Sequence, residues 1–452
     1  MPSVQPPWKG HAGFGLVAFD SLHPWQREMV QPDLSPAALD KPYFPKGELR
    51  SAREKMGFMC VSMDLVYYDD MRPYVTLSDG RWIPHAPPDE RTQATTSTGA
   101  PASPLVGVEL IHMLLQRTVE AIRAGDWEEM IRHAGTLGHF IQEPFTPGHA
   151  INNDLFHELF PDPDPGRHMR LHHAFDSGTT DFEPLPPTLM GRTLEEAAFR
   201  MQLEIERGVR EGKKLVGPVI RSVYEGQPDK VREAILAGQS QQAAWMTASA
   251  WHTAFCIALD RFDEQEGAAL DALDLTRCVP YFCHHWQYVE LTPGHLVKQK
   301  RKIPIDVWVS GDDGKPIEQR IDTGFGMGGH MGFKFFVHGD LYPTFRCRVG
   351  LPSRHTEGQG AHTDTRFFVE IDREVNRTYS EEMEYDADRR LSIPLEPGAP
   401  VQEVAVDIRG ARSLLLTTQS RPYADPETGR MKFMIPHVAV CEPRLTTEIP
   451  DG

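Results

Sequence analysis

At 452 residues the chain is too long for one ordinary core, and ~100–200 residues per domain implies two or three. Forty per cent hydrophobic and 25% charged residues is a globular composition, which excludes a disordered chain. A net charge of -17 argues against holding long nucleic acid or anionic membrane by bulk electrostatics, and no apolar run reaches the roughly 18 residues that span a bilayer.

The start, MPSVQPPWKGHAGFGLVAF, lacks the charged, apolar and small-residue pattern of a secretory signal. The chain therefore reads as cytoplasmic as written, and as extracellular if its N-terminus is processed. Six cysteines are scattered without a C-x-x-C pair, which suits reduced thiols. Of 20 histidines, 11 fall before residue 180, and that concentration points to metal or proton chemistry in the first half.

Long loops are expected at residues 20–55 and 70–104, the second low in apolar content and expected to be mobile. From about residue 104, Val108, Leu110, Ile111, Leu114, Leu115, Val119 and Ile122 recur at helical spacing until Gly125-Asp126. A second helix carries Trp127, Met130, Ile131, Ala134, Leu137 and Ile141 and stops where Pro144 and Pro147 forbid continuation. After a Pro- and Asp-rich stretch from Phe160 to Pro187, helical patterns resume in TLEEAAFRMQLEIERGVREGKKLVGPVIRSVYEG, DKVREAILAG and QQAAWMTASAWHTAFCIALDRF.

From Val279 the period changes to two in IPIDVWVSG, RFFVEIDR and EVAVDIRG, separated by turn residues at intervals that suit a sandwich. The expected organisation is an all-α domain over residues 1–275 and a β-sandwich over 280–450, with the boundary near 270–285.

The chemistry concentrates in H-F-I-Q-E-P-F-T-P-G-H, residues 139–149. His139 and Glu143, at i and i+4, project from one helical face, and His149 follows a Pro-containing turn that swings it back toward them. Downstream, R-L-H-H-A-F-D supplies a second His-x3-carboxylate pair, His172 and Asp176. Imidazole nitrogen with carboxylate oxygen is a donor set that zinc favours, and a carboxylate can bridge two ions.

This pattern resembles the zinc-dependent phospholipase C and single-strand-specific nuclease superfamily, whose members carry His-x3-Asp-x5-His followed by a second His-x3-acid pair. Gly138-His139-Phe140, Glu143, Pro147, His149-Ala150, Leu171-His172 and Phe175-Asp176 carry the resemblance. It implies further ligands at His11, in Gly10-His11-Ala12, at Asp69 or Asp70, in YYDDMR, and at His85, in RWIPH. The first of those acids is favoured by the neighbouring Arg72, the second by its spacing to His85. The chain departs from the family in using Glu143 where Asp is usual. It also has seven residues ahead of Trp8, where family members use an N-terminal Trp amine as ligand.

The resemblance therefore implies two zinc ions, or a third ligated differently. It also implies phosphodiesterase activity through a metal-bound hydroxide, with Asp69 or Asp70 taking the proton. Asn152 and Asn153 either donate to the substrate or build the turn after His149. The implied substrate is a phospholipid headgroup, a glycan-linked phosphoester or a related small ester.

Residues from about 280 to 445 resemble the NPCBM carbohydrate-binding domain in GFGMGGH, FRCRVG, RFFVEID and PGAPVQEVAVDIRGARSLLL. That resemblance implies glycan as a partner, with Trp308, Tyr342 and Phe345 as stacking candidates if exposed. A non-catalytic glycan-binding protein with a structural or degenerate metal site is the competing reading, as is a metal enzyme of other chemistry on the same scaffold.

Overall fold

The structure is a computed structural model that describes residues 10–30, 51–65, 104–150, 159–160, 171, 174–175, 178–280, 282–284, 291–298, 301–329, 331–354, 365–372, 390–420, 423–424, 429, 431–432 and 437–449. It divides into two compact units, Met1–Leu270 and Asp271–Gly452. The first is helical and the second is built of antiparallel sheets, the α-then-β architecture expected from the change of period.

The helical unit contains α1 (Gly10–Ser21), α2 (Pro24–Met29), α3 (Ala52–Leu65), α4 (Pro104–Ala124), α5 (Trp127–Gln142), α6 (Leu194–Tyr224), α7 (Asp229–Leu259) and α8 (Glu264–Ala268). The break between α4 and α5 is chemical. Gly125 turns the chain at φ +67°, and the Asp126 side chain then caps α5 by accepting from the Glu129 amide at 3.1 Å. The apolar stripes of α4 and α5 enter one core with α1, α3, α6 and α7, including Leu114, Leu115, Leu137 and Ile141. Each such buried side chain contributes roughly 1.5–3 kcal/mol. Trp251 of α7 lies within this core and satisfies its indole N–H on the Ala134 carbonyl at 2.7 Å.

Three sequence expectations change. The region 20–55 is not all loop: it holds α2 and the start of α3. Pro24 sits in the first turn of α2, where its missing N–H costs nothing, and Gln26 completes a capping box with His23. The two helical patterns on either side of Gly238 form one 31-residue helix, α7. The interior glycine costs about 1 kcal/mol, less than the surrounding core contributes. Residues 272–274, assigned to the helical half by periodicity, form a strand of the second unit. The expected loop at 70–104 lies outside the described residues.

The second unit contains β1 (Ala272–Asp274), β2 (Phe282–His284), β3 (His295–Lys298), β4 (Arg301–Ser310), β5 (Pro316–Ile321), β6 (Gly324–Gly328), β7 (Met331–Phe336), β8 (Thr344–Gly350), β9 (Thr365–Ile371), β10 (Arg390–Leu395), β11 (Gln402–Asp407), β12 (Ser413–Ser420), β13 (Tyr423–Ala424), β14 (Met431–Lys432) and β15 (His437–Thr446). One five-stranded sheet runs β1-β15-β8-β11 with β6 also paired to β15, and the other runs β10-β9-β12-β7-β2. Their inner faces interdigitate as a sandwich does: Phe325 of one sheet meets Phe333 of the other edge-on, ring centroids 5.5 Å apart. A three-stranded sheet, β3-β4-β5, completes the main body. Tyr342 and Phe345 are fully buried, so two of the three aromatics considered for sugar stacking are core, while Trp308 is half-buried. Among the described residues no helix is long and apolar enough to cross a membrane.

Candidate metal centre

Helix α5 delivers the first pair. Its last turn carries His139, and Glu143 caps it by sending its own N–H to the His139 carbonyl. Pro144 then stops the helix, and two short 3-10 turns, Glu143–Phe145 and Pro147–Ala150, fold the chain back. The reversal is held by Thr146 N–H donating to the Glu143 carbonyl and His149 N–H donating to the Thr146 carbonyl, each at 2.9 Å. Helix α1 delivers His11, because Gly10 enters it at φ +59°, a left-handed conformation that suits glycine.

These four residues converge. Glu143 Oε2 lies 3.0 Å from His149 Nε2 and 3.7 Å from His11 Nε2, and Glu143 Oε1 lies 3.7 Å from His139 Nε2. The His11 and His139 rings stand 4.7 Å apart, and all four side chains are buried. Asp69, Asp70, His85, Asn152, Asn153, His172 and Asp176 lie outside the described residues, as does Trp8. Phe175, which precedes Asp176 in the sequence, is described. A Cβ on Gly148, next to His149, would fall 3.1 Å from its side chain.

Close helix packing sets the geometry. A Cβ added to Gly135 would sit 2.2 Å from Met59 Cβ, and one on Gly138 would sit 2.9 Å from Cys60 Sγ. Only glycine lets α5 approach α3 this closely, and the approach puts the Cys60 carbonyl 2.8 Å from His139 Nδ1. A carbonyl can only accept, so Nδ1 carries a proton, and in the neutral ring Nε2, facing Glu143, keeps the lone pair.

His11 is wired to the same result by side chains. Its Nδ1 lies 3.0 Å from Gln142 Oε1, and Gln142 Nε2 donates to Thr247 Oγ1 at 3.1 Å. The Thr247 hydroxyl spends its proton on the Ala243 carbonyl at 2.8 Å and offers Gln142 only lone pairs. The amide nitrogen must therefore face Thr247, its oxygen must face His11, and His11 donates from Nδ1.

Three histidine Nε2 atoms face one carboxylate, an arrangement that either protons or a metal cation hold together. The residues therefore fit a metal, and a nitrogen and oxygen set fits zinc. Two ligand atoms each ~2.0 Å from zinc at a tetrahedral angle lie about 3.3 Å apart, within the spread seen here. Among the described residues, however, no group of three or more His, Cys, Asp or Glu is arranged as a ready-made cage. The approaches of His11, His139 and His149 all run to Glu143 itself. Burial pushes the Cys60 thiol up to about 12, against the opposing pull of a hydrogen bond with Gln142.

A second buried histidine, His252 of α7, is wired in the opposite sense. Gln26 Oε1 accepts from the His23 backbone N–H at 3.1 Å, so its Nε2 faces His252 Nδ1 at 3.0 Å and donates to it. His252 therefore carries its proton on Nε2, 3.4 Å from Glu266 Oε2. Cys256 Sγ lies 3.6 and 3.8 Å from the two ring nitrogens, so it rests against the imidazole rather than lying along either lone pair.

The sequence names His11, His139, Glu143 and His149 as candidates but not the residues that orient them. Gln142, Thr247 and the Cys60 carbonyl come from three helices, and the only local signal is that Gln142 precedes Glu143.

No family model matches the chain, and no curated protein matches it. Among solved structures it is similar to the M60 catalytic domain with two CBM51 domains of ZmpB from Clostridium perfringens, at 15% identity over 39% of this chain, TM-score 0.27. The match takes in 15% of that protein's chain. It is similar to CBM51 from Clostridium perfringens GH95 in complex with methyl-galactose, at 17% identity over 39% of this chain and 99% of that one, TM-score 0.27. It is also similar to the alpha toxin from Clostridium absonum, at 10% identity over 98% of this chain and 95% of that one, TM-score 0.30.

Proposed function

We propose that the helical unit is a zinc-dependent phosphodiesterase, acting on a phospholipid headgroup, a glycan-linked phosphoester or a related small ester. The observation that supports this most is the convergence of His11, His139 and His149 on Glu143, with both His11 and His139 turned so that Nε2 faces the carboxylate. Zinc held there would supply an acidified water and positive charge for the phosphoryl oxygens. The chain's own residues do the rest. The histidines supply neutral donors, Glu143 supplies negative charge that offsets the ion, and the buried walls exclude bulk water and strengthen every electrostatic contact.

His172, Asp176, His85 and Asp69 or Asp70 are proposed as the remaining ligands, and Asn152 and Asn153 as substrate donors, on their positions in the sequence. The number of ions proposed is two or three. Glycan is proposed as a partner of the β unit from the resemblance of its sequence, with Trp308 the aromatic left for a sugar face.

The test is metal content and hydrolysis of bis-p-nitrophenyl phosphate. The purified protein should hold two or three zinc equivalents and lose activity on chelation. His139→Ala and His149→Ala should each lose metal and at least a hundredfold in rate with the β unit still folded. A metal-free, inactive wild-type protein, or full zinc content in both variants, would sink the proposal.

A further inference from the structure

We infer that Gln142 and Thr247 are positioning residues, which hold His11 with its proton on Nδ1 so that Nε2 is ready for a cation before one arrives. This inference rests on the proposed zinc site but concerns the metal-free protein. The action of Gln142 and Thr247 passes through His11.

The argument is a chain of obligations. Thr247 lies on α7, one turn from Ala243, and its hydroxyl proton goes back to the Ala243 carbonyl at 2.8 Å. That leaves oxygen lone pairs toward Gln142, so the Gln142 amide must present nitrogen there, at 3.1 Å. A second amide proton has the Cys60 sulfur within hydrogen-bonding reach. The amide oxygen is then committed to His11 Nδ1 at 3.0 Å. Gln142 and Thr247 are both fully buried, so no water competes to turn the amide over.

Reversing the amide would set its NH₂ against Nδ1 and its oxygen against the Thr247 oxygen. His11 would then move its proton to Nε2, toward Glu143, where a metal would have to displace it. Partners that hold a ligating histidine in one tautomer are typically worth 10–100-fold in metal affinity.

The same logic explains why a glutamine stands beside Glu143. A small residue there would leave His11 free to take either tautomer. Gln142 instead carries the hydrogen-bonding state of α7 across to α1, joining two helices that have no sequence proximity.

The test uses the full chain stripped of metal, with ¹⁵N-labelled histidine at about pH 8.5, where free imidazoles are neutral. Long-range ¹H–¹⁵N correlation reports the His11 tautomer directly, and competition with a chromogenic chelator reports zinc affinity. Wild type should show Nδ1–H. Thr247→Val keeps the methyl that packs beside Gly138 but removes the hydroxyl. It should mix the two tautomers and weaken zinc binding about 10–100-fold.

Thr247→Ser should restore both readouts to within about threefold, because the hydroxyl is what the network needs. Gln142→Glu, whose carboxylate can only accept, should keep Nδ1–H and guards against a Val variant that does not fold. An Nε2–H His11 in the wild type overturns the inference, as does a folded Thr247→Val protein with unchanged tautomer and affinity. A wild type that shows Nδ1–H and responds to Thr247→Val in tautomer, yet takes up no zinc, upholds the positioning and refutes the zinc site.

Discussion

Two glutamines in the helical unit each bond the Nδ1 of a buried histidine, and they use opposite ends of the amide to do it. Gln142 gives His11 its oxygen, while Gln26 gives His252 its nitrogen. The difference originates one bond further out, in what holds the other end of the amide. A threonine hydroxyl with its proton already committed forces the first orientation, and a backbone N–H forces the second. The consequence is a division of labour. In its neutral form His11 turns its Nε2 lone pair toward a carboxylate, whereas His252 turns an N–H toward Glu266. Identical side chains thus fix opposite tautomers in the two places.

The sharpest way to break this comparison is to replace each glutamine by leucine. Gln142→Leu should lower zinc affinity at least tenfold, read by chelator competition, because His11 loses its anchor. Gln26→Leu should leave zinc affinity within about twofold, yet destabilise the protein by about 1–3 kcal/mol in urea unfolding, since the His252 nitrogen loses its donor. Equal effects on zinc would erase the distinction.

A smaller effect concerns acid. Burial pushes His252 below its ordinary value, with His23 pushing the same way and Glu266 opposing them. The unfolded chain therefore takes up this proton first as pH falls. The stability associated with His252 is complete above about 6.5 and declines as pH drops below it. Urea midpoints measured at about pH 7.5 and 5.5 should fall further in wild type than in His252→Asn. A larger fall in the variant would show that protonated His252 is stabilising.

The smallest change expected is at His23, whose ring lies 5.0 Å from that of His252. His23→Ala should raise the His252 titration midpoint slightly, as followed by imidazole NMR, because a like-charged neighbour is gone. No movement would mean that burial and Glu266 set it without His23.

What could be read from sequence follows physical range. His139 and Glu143 share a helical face because of a four-residue spacing, and His149 returns because proline cannot continue a helix. Both are local rules and both are visible in one segment. His11 follows only from the order of motifs, since it lies on α1, far along the sequence from Glu143 at the end of α5.

The orienting set was not legible. Thr247 is 105 residues from Gln142, and Cys60 is 79 from His139. Each is an unremarkable helical residue until packing brings them together. The glycines of α5 show the same limit: Gly135 and Gly138 read as weak helix formers, and only the proximity of Met59 and Cys60 explains them. In the β unit, alternation located β4, β9 and β11 but could not tell which aromatics face inward. Tyr342, just ahead of β8, and Phe345, within it, prove to be core.

Cys60 carries a further consequence. Its sulfur is wedged where Gly15 and Gly138 come closest, so that a Cβ on either would fall within 2.9 Å of it, and its thiol is held up to about 12. Alkylating reagents attack the thiolate, so this residue is chemically silent while the helices are closed. Its rate of modification is therefore a clock for their separation. The same residue whose carbonyl aims His139 also carries a built-in label that counts how often α1, α3 and α5 come apart.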